Sequence, residues 1–264
     1  QPVEMIGVTA AAPAEVPLAG RSGRESLRLG RDYVAFSGVQ AKQARISDAE
    51  VVFVGYGIVA PEYRWDDYKG ADLRGKVLLY VNNDPESDPA LFEGKRRLYY
   101  GRWDYKYAKA AEQGAVGAFL IHTDHSAGYR WQVVQSSFAG EQLSLPTSEQ
   151  PTLQLKGWLT EEAARRLVRV SGHDLDGLLA QAETREFRPV PLGVRLSLAL
   201  ENEVSRRESA NVVGRLPGRD PVLAKEAVLY TAHHDHLGVR RDANGQPAIY
   251  NGALTEAQYL GLLA

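Results

Sequence analysis

The chain has 264 residues, 44% of them hydrophobic and 24% charged, enough to bury the core of one large or two medium domains. A net charge of −2, with no basic face standing out from a balanced background, argues against a nucleic-acid binder. The lack of cysteine excludes disulfides, thiolate metal sites and a thiol nucleophile, and no apolar stretch reaches the ~18–20 residues of a membrane span.

Gln1 opens the chain with no signal-peptide pattern behind it, which reads as processing or as a start inside a longer reading frame. Residues 2–8 are strand-like, and the small-residue, proline-bearing stretch 9–20 reads as loop or extended edge. Apolar runs at 49–55 and 76–81 predict strands. Residues 102–114 have a helical pattern, with Trp103, Tyr107, Ala110 and Ala111 at helical spacing and Gly114 as a stop. Residues 116–121 form another apolar strand run. Thr160-Glu161-Glu162-Ala163 opens a helix in N-cap fashion that runs to about Val170, with Gly172 closing it. A further helical segment is expected at 175–182. Residues 194–200 alternate apolar and polar as a half-buried strand does, and strands are predicted at 210–214 and 227–231.

The last of these strands carries the main chemical signal. The run Glu226-Ala227-Val228-Leu229-Tyr230-Thr231-Ala232 is short, apolar and β-branched, the pattern of a buried parallel strand. It empties into His233-His234-Asp235-His236. In an open α/β sheet the carboxyl end of a strand is where catalytic groups collect. Imidazole is a good zinc ligand, and a carboxylate two residues on can orient the ring. The plainer reading is a solvated polar turn after a strand.

Ala232-His233-His234-Asp235-His236-Leu237-Gly238, followed by Tyr250-Asn251-Gly252-Ala253-Leu254, resembles the first metal-binding segment of the co-catalytic dizinc aminopeptidases. That superfamily includes bacterial leucyl aminopeptidases, glutamate carboxypeptidase and the non-catalytic transferrin receptor. The resemblance makes His233 the first zinc ligand and Asp235 the residue that orients it. Asn211-Val212-Val213-Gly214-Arg215-Leu216-Pro217-Gly218 is similar to the strand and turn preceding that segment. Residues 51–77, from Val51-Val52-Phe53-Val54-Gly55 through Trp65-Asp66-Asp67-Tyr68 to Leu73-Arg74-Gly75-Lys76-Val77, resemble the protease-associated domain inserted in many bacterial members.

The resemblance implies an α/β fold: part of a mixed-sheet zinc aminopeptidase domain plus an inserted α+β protease-associated domain. The expected division is residues 1–48 and 187–264 for the peptidase-like part and 49–186 for the insertion. It implies hydrolysis of the N-terminal peptide bond at a dinuclear zinc site, a peptide substrate, and a secreted or periplasmic location. It departs from the pattern after Leu254, where Thr255-Glu256 stand in place of the Asp-Asn that supplies the bridging carboxylate. The later Glu-Glu pair, carboxylate and histidine are also missing. The expectation is therefore a shortened piece of a longer enzyme, inactive by itself, or a non-catalytic binding module built on the protease-associated domain.

Other features weigh less. Gly55-Tyr56-Gly57-Ile58-Val59-Ala60 imitates a dinucleotide fingerprint, but Pro61 and a turn-rich stretch follow where a helix is needed. His122 and His125 read as a surface loop, and His173 as a favourable charge at a helix end. The cluster from Tyr99 to Tyr107 is richer in aromatics and arginine than a fold requires. Tyr100, Arg102, Trp103 and Trp131, the last in a polar loop with Phe138, are candidates to line a substrate cleft. There is no G-x-S-x-G elbow and no H-E-x-x-H helix.

Overall fold

The computed structural model describes residues 1–94, 96–147, 151–233, 239–241 and 245–249. It divides into two compact units, Gln1–Asn211 and Val212–Ala264. In chain order the first unit contains β1 (Pro2–Ala11), β2 (Glu15–Gly20), β3 (Gly23–Arg28), β4 (Tyr33–Ser37) and β5 (Gln43–Phe53). Next come the short pair β6 (Val59–Ala60) and β7 (Trp65–Asp66), then β8 (Val77–Val81), α1 (Trp103–Glu112) and β9 (Gly117–His122). The remainder is α2 (Asp124–Ala127), α3 (Trp131–Phe138), β10 (Glu141–Ser144), β11 (Leu155–Thr160), α4 (Glu161–Val170), α5 (Leu175–Ala182) and β12 (Val190–Ala210).

Eight of these strands form one mixed sheet of order β10-β1-β12-β5-β8-β9-β11-β4. Its centre, β5, β8, β9 and β11, is parallel, so four carboxyl ends open on the same side. The flanking strands β12, β1, β10 and β4 run antiparallel to their neighbours. β8 and β9 read as unbroken apolar runs because both their faces are covered. Successive residues of β8 go to opposite sides: Val77 and Leu79 join α4 and α5 in one core cluster, and Leu78 and Tyr80 join α1 and α3 in the other. The unit is α/β.

β12 obeys a different rule. From Leu192 to Leu200 every second residue is buried, so this stretch presents one face to the core. Beyond Glu203 the strand is mostly exposed, yet it stays paired with β1 as far as Ala210 opposite Pro2.

The local expectations hold where chain-local chemistry decides. α4 is capped by the Thr160 hydroxyl, which accepts the Ala163 N–H at 3.2 Å, and carries Glu161 and Glu162 in its first turn. α5 covers residues 175–182 as expected, with the Asp174 carboxylate accepting the Gly177 N–H at 2.9 Å.

β5 runs through position 48/49, β12 pairs with both β5 and β1, and the compact units divide at 211/212. Two expectations are corrected. β12 ends at Ala210 and residues 211–214 carry no strand, so the strand predicted at 210–214 is not formed. Finally, residues 226–233 carry no strand, and Val228, Leu229 and Tyr230 are 82%, 82% and 68% exposed. An apolar run becomes a buried strand only when edges on both sides supply hydrogen-bond partners, and no described strand lies beside this one. The second unit's described strands are β13 (Val239–Arg241) and β14 (Pro247–Ile249), an antiparallel pair.

Candidate functional site

The four aromatic and arginine candidates do not converge. Tyr100 sits in a 3-10 turn, Tyr99–Gly101, and stacks edge-on with Phe92 and Tyr105. Its hydroxyl donates to the Glu62 carboxylate, and that bond pushes its pKa up to about 12. Arg102 is exposed and pairs with Asp104 at 3.0 Å. Trp103 is 39% exposed and meets Tyr107 and Phe138 edge-on, on the other side of the sheet from Phe92. Trp131 opens α3 rather than lying in a loop; its indole N–H donates to the Gly30 carbonyl at 2.6 Å.

His122 is also corrected. It ends β9 and is 4% exposed, against the expected surface loop. Its Nε2 lies 2.9 Å from the Tyr129 carbonyl, which makes that nitrogen the donor, and its ring packs against Trp131 and Trp158. Burial lowers its pKa from the ordinary 6.5. A group with a depressed folded pKa contributes stability above its unfolded value and loses it as pH falls through the folded one. Denaturation midpoints of the wild type should therefore fall between pH 7.5 and pH 5 more steeply than those of His122→Gln, which can still donate to Tyr129. Equal slopes in the two proteins would refute the assignment.

A cleft of about 350 Å³ opens at the carboxyl ends of β5, β8 and β9. β8 delivers Asn82, Asn83 and Asp84, three consecutive buried polar residues that are 3%, 7% and 1% exposed. Asn83 adopts φ +84°, an uncommon conformation that aims its side chain between two charges. Its amide donates to Glu86 at 2.7 Å, and its Oδ1 accepts from Arg97 Nε at 2.8 Å. The Asp84 carboxylate accepts the Leu98 N–H at 3.0 Å, and burial raises its pKa.

From the turn after β5, the Tyr56 hydroxyl donates to Glu183, whose other oxygen accepts the Ser87 N–H at 3.1 Å. Burial, then the Glu183 carboxylate, push the Tyr56 phenol well above its ordinary pKa. His125, on α2, lies 3.2 Å from Glu86. Val81, Ile121 and Leu179 add apolar surface. Nothing in the sequence marked this cleft as a unit. The available signal was the polar run Asn82-Asn83-Asp84 at the end of an apolar strand.

The metal candidates lie in the second unit. His233 is exposed, and Asp235 lies outside the described residues.

No family model matches the chain, and no curated protein matches it. It is similar to two solved peptidases. One is an aminopeptidase from Aneurinibacillus sp. strain AM-1, 20% identical, with 79% of this chain and 36% of that one covered and a TM-score of 0.36. The other is a Peptidase M28 precursor from Shewanella amazonensis SB2B, 13% identical, covering 79% of this chain and 39% of that one, with a TM-score of 0.35. The chain thus spans 36–39% of the length of these structures.

Among the described residues no group of three or more His, Asp and Glu could hold a metal ion. A catalytic zinc takes three protein ligands, so the described residues do not fit the metal by themselves. Nor is any described helix long and apolar enough to cross a membrane.

Proposed function

We propose that this chain carries the recognition unit and the first metal-ligand segment of a zinc-dependent aminopeptidase that acts on peptide N-termini, in a secreted or periplasmic setting. The observation that carries the reading is the segment Ala232-His233-His234-Asp235-His236-Leu237-Gly238 with Tyr250-Asn251-Gly252-Ala253-Leu254 after it. In this reading His233 is a zinc ligand and Asp235 orients its ring, the pairing that fixes tautomer and raises ligand basicity. The remaining ligands have to come from outside the described residues. The inserted protease-associated domain is assigned to the sheet of the first unit, which brings its own core to the enzyme.

The second reading is a non-catalytic binding module. It is favoured by Thr255-Glu256, standing where the aminopeptidase pattern has Asp-Asn, and by a first unit packed around its own two core clusters. The two readings part on metal content. Under the aminopeptidase reading, the longer enzyme that carries this segment together with the remaining ligands, exchanged into zinc and desalted, retains about two zincs by elemental mass spectrometry, and His233→Ala in it loses them. Only trace zinc in that protein, with His233→Ala indistinguishable from wild type, overturns that reading in favour of the module.

A further inference from the structure

The ribbon formed by β1 and the distal half of β12 leaves one backbone edge open. Gln1 and Asn211 exchange both backbone hydrogen bonds, at 2.8 and 2.9 Å, while the Asn202 N–H turns the other way, to the Lys42 carbonyl at 2.8 Å. In an antiparallel ladder the side to which a residue's N–H and C=O point alternates along the strand. Odd-numbered residues from Glu203 onward therefore bond to β1. Val204, Arg206, Glu208 and Ala210 point theirs outward, where pairing with β5 has ended at Glu201, and no described residue takes these groups. Edges of this kind are ordinarily blunted by proline or by a bulge. β1 has Pro2 at its own open end, but residues 203–210 hold neither proline nor glycine. The β1–β12 register is also unbroken, from Pro2 opposite Ala210 to Ala11 opposite Glu201.

The side chains along the open edge say what fits it. Against a second copy of β12, antiparallel and centred on Arg207, each Arg206 faces a Glu208 and each Val204, 42% exposed, faces an Ala210. Glu208 gains from that neighbour, since the residue opposite it on β1 is Glu4, a like charge. Arg206 reaches Glu4 at 2.7 Å, but that pair is exposed and worth little. The two central Arg207 side chains do not meet as bare charges, because each crosses β1 to Glu141 at 3.1 Å. Centring on Arg206 instead opposes that arginine to itself, and centring on Ser205 drives the incoming strand into Lys42. We propose that the chain associates with a second copy of itself by antiparallel pairing of β12 along residues 204–210, joining the two large sheets into one. The pairing uses no residue beyond 210 and so stands apart from the zinc reading.

The test is sedimentation velocity on the full 264-residue chain across the micromolar range. The expected result is a reversible monomer–dimer equilibrium. Arg206→Glu sets glutamate against Glu208, and Glu208→Arg sets arginine against Arg206, so each alone should weaken the dimer about tenfold or more. Mixed in equal amounts, the two variants restore opposite charges at both facing positions and should associate to within about threefold of wild type. Contact through any other surface does not predict that rescue. Arg206→Pro removes an outward N–H and no bond to β1, so it should abolish association with the unfolding midpoint nearly unchanged. A chain that stays monomeric overturns the proposal, as does a dimer that survives all three substitutions. So does a mixture of the two charge variants that associates no more tightly than either alone.

Discussion

Replacing Asp67 by alanine is expected to destabilise the first unit by about 3–5 kcal/mol, the cost of breaking a fully buried charged network at one partner. Asp67 is 1% exposed, and both its oxygens are committed: one accepts the Ile58 N–H at 2.9 Å and the other the Trp65 indole N–H at 2.8 Å. Alanine would orphan two buried donors. It would also strip a counter-charge from Lys106, which is 0% exposed and whose ammonium donates to the Tyr56 carbonyl at 2.6 Å. Burial pushes the Asp67 carboxyl up and pulls the Lys106 amine down.

The signs give the pH dependence. The raised Asp67 pKa contributes stability in full below its ordinary 3.8 and loses it as pH rises through the folded value. The lowered Lys106 pKa contributes in full above its ordinary 10.5 and loses it as pH falls through the folded value. In the wild type the two offset one another. Asp67→Asn keeps an acceptor for one donor but leaves Lys106 alone, so its stability should fall more steeply than the wild type's from pH 10 to pH 7. Urea unfolding across that range checks both statements. An alanine variant within about 1 kcal/mol of wild type would show that the network is not holding this part of the fold.

Chain-local chemistry was legible, and through-space pairing was not. The Thr160 cap, the apolar runs of β8 and β9 and the helix at 175–182 each depend on a few neighbours in sequence, and each formed where expected. The place of β12 between β1 and β5 depends on hydrogen bonds across some 150 to 200 residues of chain, and composition carries no record of them. The same reason explains Val228, Leu229 and Tyr230. Their side chains suit a strand, but a strand is a pairing and not a propensity. The cleft escaped notice because Tyr56, Asp84, His125 and Glu183 come from four separate turns and helices, each unremarkable in its own sequence. The aromatic run Tyr99 to Tyr107 failed in the opposite sense. It is dense in sequence, yet the sheet sends Tyr105 and Tyr107 to different core clusters.

Gly57→Ala should cost about 3 kcal/mol or more, and the reason settles what the glycine pair after β5 is for. Gly57 has φ +61°, which an alanine adopts only at a cost. A Cβ there would lie 2.1 Å from Tyr80 Cε1 and 2.9 Å from the Tyr68 hydroxyl. Neither ring can retreat, since Tyr80 and Tyr68 are 0% and 2% exposed and their hydroxyls are joined at 2.9 Å. The Tyr68 hydroxyl also lies 3.1 Å from the Gly57 carbonyl, so the clash and the bond fall on the same turn. A dinucleotide fingerprint needs these glycines to bring backbone amides at a helix N-terminus up to a pyrophosphate. Here the chain continues into β6 and a 3-10 turn at Pro61–Tyr63. The two roles separate in one experiment. If the glycine served phosphate, Gly57→Ala would abolish binding of a dinucleotide and leave the unfolding midpoint in place. The packing around Tyr80 requires the reverse: a large drop in the midpoint, and no dinucleotide binding in wild type to lose.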